Sequence, residues 1–151
     1  MGLGTPKRIG ERLVERGLIT QAQLDAALLH QRSSREFLGA VLVQLGLISE
    51  EALLKELAAQ FNLPYACLQD VQVDWEVARH FSAMLLAGFL CFPFQMNEEE
   101  IAVAISNPLD AMAISEMERQ AGTKKIQWVL MPARDVTAAF KQFQGRIASC
   151  P

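Results

Sequence analysis

Gly10, Leu24, Leu28 and Gln31 recur 29 residues later as Gly39, Leu53, Leu57 and Gln60. Residues of these types suit non-covalent binding better than bond making. A glycine lets another group approach the main chain. Leucines supply apolar surface, and a glutamine amide both donates and accepts hydrogen bonds. In each copy the two leucines and the glutamine fall at i, i+4 and i+7, which places them on one helix face. Leucine packing alone leaves two features over. Glycine early in a helical segment costs about 1 kcal/mol relative to alanine, and an amide ending an apolar stripe needs partners if it is buried. The set therefore reads either as a ligand surface with a polar end or as the core of a duplicated helical hairpin.

Other chemistry is poorly supported by the residues. Cys67, Cys91 and Cys150 form no C-x-x-C pair, and they read as buried or incidental thiols in a reducing compartment. His30 and His80 have no neighbouring ligands at metal spacing. There is no G-x-x-x-x-G-K-S/T loop, and Gly122-Thr-Lys-Lys125 reads as a helix-to-strand turn. No G-x-S-x-G elbow or H-E-x-x-H pair occurs, so neither catalysis nor a cofactor is expected. Glu98, Glu99 and Glu100 read as a solvated turn. The net charge of −3 argues against nucleic-acid binding by bulk charge. The longest apolar stretch, residues 81–94, contains Pro93 and falls short of the roughly 18–20 residues of a membrane span. With no apolar signal core near Met1, the chain reads as cytoplasmic.

The elements that must position the repeated residues follow from the repeat itself. Residues 8–31 and 37–60 are identical at nine of 24 positions, where unrelated segments of this composition would share about two or three. Each copy predicts a short helix, a glycine stop at Gly17 or Gly46, and a second helix capped by Thr20 or Ser49. Gln23 completes a capping box in the first copy, and Glu50 and Glu51 suit the first turn in the second. A stop at residues 62–64 sets a boundary between residues 1–62, which carry equal charges of each sign, and residues 63–151, which carry the whole −3.

The second part predicts one or two helices over residues 74–87 with Asp74 as N-cap. Strands follow at 89–94 and 101–105, a helix at 108–121, a strand at 126–131 and a helix at 132–144. Asn107 reads as the N-cap of the 108–121 helix, with Pro108 in its first turn. The expected fold is α+β: a helical subdomain of two duplicated helix-turn-helix motifs, then an α-β-β-α-β-α subdomain with a small sheet.

At these residues the chain resembles the MshEN domain, the N-terminal domain of type II secretion and type IV pilus assembly ATPases. Its hallmark is a pair of 24-residue motifs, R-L-G-x-x-L…G-L-I…L-x-x-x-L-x-x-Q, joined by a short spacer. Here the spacer is residues 32–36. Residues 103–110, Val-Ala-Ile-Ser-Asn-Pro-Leu-Asp, resemble the family's V-A-x-x-D-P-L-D segment, and the similarity runs over about residues 8–145.

The resemblance implies a receptor for cyclic di-GMP. Its ligand would lie along Arg8, Ile9, Gly10, Leu24, Leu28 and Gln31 of the first motif and Leu38, Gly39, Leu53, Leu57 and Gln60 of the second. Two positions depart from the pattern. Phe37 stands where the second motif begins with Arg, which removes a charge-assisted contact of roughly 1.5–3 kcal/mol, and Phe37 could stack on a base instead. Asn107 stands where the family often has Asp, and it presents one acceptor oxygen to a guanine edge in place of two.

Two functions follow as expectations. One is a regulatory module that signals ligand occupancy to a secretion or pilus motor. The other is a protein-interaction adaptor that docks on a motor or inner-membrane assembly without nucleotide. A generic ATP-binding domain is a third, weaker reading, and the chain lacks the phosphate loop it would need.

Overall fold

The 29-residue period of the sequence is also the period of the helices. The computed structural model describes residues 9–148, and the chain divides into two compact units between Asn62 and Leu63. In the first unit, α1 (Ile9–Glu15) and α2 (Gln21–Ser34) are followed by α3 (Leu38–Gln44) and α4 (Glu50–Phe61).

The two short helices end alike. Gly17 and Gly46 adopt left-handed φ values of 74° and 75°. The Leu18 and Gly17 N–H groups donate to the carbonyls of Leu13 and Val14, and Leu47 and Gly46 donate to those of Leu42 and Val43. This is the Schellman pattern, which satisfies carbonyls that a helix end would otherwise leave open. The longer helices start alike too. Thr20 accepts from the Gln23 N–H and Ser49 from the Ala52 N–H, both at 3.1 Å. Only the first copy has the full capping box, because Gln23 returns a bond to the Thr20 N–H and Ala52 has no side chain to do so. Leu13, Ala27, Val41, Leu42 and Leu54 form the core of this unit.

The second unit holds a three-stranded mixed sheet among helices, in the expected α-β-β-α-β-α order. Its elements are α5 (Ala83–Gly88), β1 (Cys91–Met96), β2 (Glu100–Ile105), α6 (Ala111–Ala121), β3 (Lys125–Leu130) and α7 (Ala133–Ala148). β2 is central, antiparallel to β1 and parallel to β3. The parallel pair needs a crossover, which α6 supplies. The core takes Phe92, Val103, Ile105, Met117, Leu130 and Val136. Phe92 meets Trp75 and Phe143 edge-on, each at 5.9 Å.

Both outer strands are strapped. Asp74 N–H donates to the Phe94 carbonyl on β1, beside a bulge at Pro93. On β3, Leu130 N–H donates to the Pro64 carbonyl and Leu130 O accepts from Ala66 N–H.

Several boundaries differ from the sequence reading. Asp74 caps no long helix: its carboxylate takes the Glu76 N–H in a turn, a 3-10 turn follows at Val77–His80, and α5 begins only after Ser82, which accepts from Leu85 N–H. Asn107 is not the cap of α6. Asp110 is, accepting from Ala113 N–H at 3.1 Å, while Asn107 closes a local turn by accepting from Leu109 N–H. With Asp at the cap, Pro108 falls before the helix and is buried. The strands are shifted by one or two residues, and α7 runs four residues past the expected end.

Candidate functional site

The two motif glycines face leucines of their own copy. A Cβ on Gly10 would lie 2.6 Å from Leu24 Cδ1 and 3.0 Å from Leu38 Cδ2, and one on Gly39 would lie 2.8 Å from Leu53 Cδ2. The 2.6 and 2.8 Å contacts are closer than a Cβ adopts, so the leucine methyl groups would have to shift. Gly10 and Gly39 thus let the second helix of each motif close onto the first, and this packing offsets their cost in helix propensity. Around Gly10 the structure gathers Leu24 of the first motif and Leu38 of the second.

The halves of the site differ in exposure. Ile9, Leu24, Leu53 and Leu57 are buried, whereas Leu28 is 39% exposed. Leu38, Gly39, Gln31 and Gln60 are half-buried, and the Gln60 side-chain oxygen is shielded from solvent. The Gln31 amide donates to the Glu36 carbonyl at 2.9 Å, and the Glu36 carboxylate accepts from the Gln44 amide at 2.8 Å. These bonds tie the spacer to both α2 and α3. They also bring the α2 turn that carries Leu28 to the segment that carries Phe37, the 46% exposed N-cap of α3. The first motif therefore offers open apolar surface beside an amide, and the second offers a more enclosed leucine pair.

Arg8 lies outside the described residues. Asn107 belongs to the second unit, and its side-chain oxygen already accepts a backbone N–H there.

One group escaped the sequence reading. Glu56 on α4 is 8% exposed. It accepts from Arg12 Nε at 3.0 Å and from Arg16 Nε at 3.2 Å, both on the α1 side of the unit. The signal was present in the repeat. Glu56 stands where the first copy has Ala27, and Arg12 and Arg16 stand where the second has Val41 and Leu45.

Among the described residues no cluster of His, Cys, Asp and Glu could hold a metal ion. Cys91 is buried and Cys67 half-buried, while Cys150 lies outside the described residues. Burial, with a smaller contribution from the Asp110 charge, pushes the Cys91 thiol from 9.0 up to about 12, which suits packing and opposes reactivity. No described helix is long and apolar enough to cross a membrane.

Comparison with known proteins adds the family. Residues 61–149 match the MshEN domain, a span that begins at the end of α4 and includes the described part of the second unit. The type IV pilus assembly ATPase PilB of Thermus thermophilus is 31% identical over 136 residues, which are 89% of this chain and 15% of that protein. Bacteriophage adsorption protein B of Escherichia coli K12 is 24% identical over 91% of this chain and 18% of its own length. The chain thus spans less than a fifth of either relative. Among solved structures, MshE with cyclic di-GMP superposes with a TM-score of 0.84 at 28% identity, covering 91% of this chain and 99% of that one. The N-terminal domain of XpsE superposes at 0.71 with 20% identity over 91% of this chain and 98% of its own, a likeness of fold. The MshEN match covers more than half of the sequence, and on that ground the chain belongs to the MshEN domain family.

Proposed function

We propose that this chain is a non-catalytic regulatory module. It binds cyclic di-GMP across its two tandem motifs and signals occupancy to a secretion or pilus motor, in the cytoplasm or at the inner-membrane face through that partner. The observation that carries the reading is the likeness to MshE with cyclic di-GMP over 91% of this chain. The retained Gly-Leu-Leu-Gln set in both motifs supports it.

The ligand has two guanines and two phosphates related by a two-fold axis, and a duplicated motif offers matched half-sites. Leu28 and Phe37 present exposed apolar surface suited to the flat face of a base. The glutamines supply donors and acceptors for its edge. Arg8 supplies a charge for phosphate or for the guanine O6/N7 edge. Calorimetric titration with cyclic di-GMP tests the proposal. Saturable heat is expected, and neither heat nor competition at high micromolar ligand would overturn it.

Phe37 favours a second reading, a protein-docking adaptor on the same fold. It replaces a motif arginine with an exposed apolar ring. Phe37→Arg separates the two. A cyclic di-GMP receptor exchanges an apolar face for a charge-assisted contact and binds more tightly, by up to about 150-fold, whereas a pure adaptor gains nothing.

A further inference from the structure

The pseudo-repeat of the first unit is broken at one joint. The first motif contributes Arg12 and Arg16 and the second contributes Glu56, a buried carboxylate with one guanidinium on each oxygen. The positions equivalent to these by the 29-residue shift are Val41, Leu45 and Ala27, which carry no charge. Apolar contact between helices is non-directional and tolerates sliding. Charge-assisted bonds to guanidinium groups are short and directional.

The joint also lies where spacing matters for the proposed site. α1 carries Ile9 and Gly10 of the first half-site. α4 carries Leu53, Leu57 and Gln60 of the second, and Glu56 immediately precedes Leu57.

We infer that Glu56 is a positioning residue for the ligand site: held by Arg12 and Arg16, it fixes the register of α4 on α1 and so the spacing of the two half-sites. The inference rests on the cyclic di-GMP reading. A ligand that bridges two half-sites gains affinity only where their separation matches its own. Loosening the joint therefore weakens binding even in a chain that remains folded.

The test is calorimetric titration of the full 151-residue chain with cyclic di-GMP. The variants are Glu56→Gln, Arg16→Gln and the control Glu51→Gln. Glu51 pairs with Lys55 on the exposed side of the same helix. Each titration is made at a temperature where circular dichroism shows that variant folded, so a residue that only supports the fold would leave Kd unchanged. Glu56→Gln is expected to weaken binding about tenfold, the size of an ordinary coupling within one hydrogen-bonded network. Arg16→Gln should weaken it less, and Glu51→Gln should match the unaltered chain. The Arg16 side chain is 60% exposed, so Arg16→Gln decides the matter if Glu56→Gln does not fold. Binding by the unaltered chain with equal affinity in the folded joint variants would overturn the positioning role and leave the receptor reading standing. No binding by the unaltered chain would overturn both.

Discussion

Gly10 shows how a single missing methyl group can be read in two ways from sequence. The recurrence of Gly10 and Gly39 was legible, and so was their cost in a helix. The leucine that fills each gap was not, because no local pattern says which side chain a helix turn will meet. Leu24 Cδ1 lies 2.6 Å from a Gly10 Cβ. Overpacking of that kind costs about 1–3 kcal/mol, against a propensity gain of about 1 kcal/mol. Gly10→Ala is therefore expected to lower stability by about 1 kcal/mol in urea unfolding. A Cβ on Gly145 of α7 would meet no side chain or other element within 4 Å, and Gly145→Ala should raise stability by about 0.5–1 kcal/mol. A gain in Gly10→Ala would refute the packing argument. Cys91 gives a pH signature. Burial pushes its thiol from the ordinary 9.0 up to about 12 in the folded chain, so the unfolded state releases the proton first as pH rises. The stability that Cys91 contributes is whole below pH 9 and is lost as pH climbs toward 12. The urea midpoint should fall over that window more steeply in the unaltered chain than in Cys91→Ala.

Helices whose ends carry their own chemistry were the most legible elements. Thr20 with Gln23, Ser49, Gly17 and Gly46 mark their boundaries through side-chain and backbone bonds within a few residues, and the structure places all of them as the sequence implies. Residues 74–88 were less legible. Asp74 and Ser82 are both competent caps, and the choice among local turn, 3-10 turn and helix depends on packing of Val77, Ala78 and Phe81 that the local sequence does not encode. The reciprocal bonds at the start of α2 make a prediction. Thr20→Ala should cost about 1 kcal/mol, and circular dichroism of Thr20→Ser should show near-complete recovery. An equal loss in Thr20→Ser would mean that the methyl group, not the hydroxyl, supports this end. Glu56 belongs at this scale as well. It is invisible to helix periodicity, and it emerges only when the two copies are compared position by position.

At the scale of the molecule, the two units are built on different principles. The first gains its structure from short, repeated, locally capped helices, and the second from pairing between distant strands. Backbone amides should report the difference. β2 is bonded along both sides, whereas α1 has only seven residues, too few to hold a helix without packing. Hydrogen exchange followed by mass spectrometry is expected to be slowest in β2 and among the fastest helical signals in α1. The reverse order would place the most stable part of the chain in the repeats. The straps on the sheet carry one more consequence. Asp74 holds β1 where Pro93 and its bulge interrupt the outer row, and residues 64–66 hold β3. An incoming strand from another molecule would have to displace these straps before it could pair. Strand addition, a common way for one protein to read another, is thereby disfavoured, which leaves the side chains of the second unit as its more accessible recognition surface.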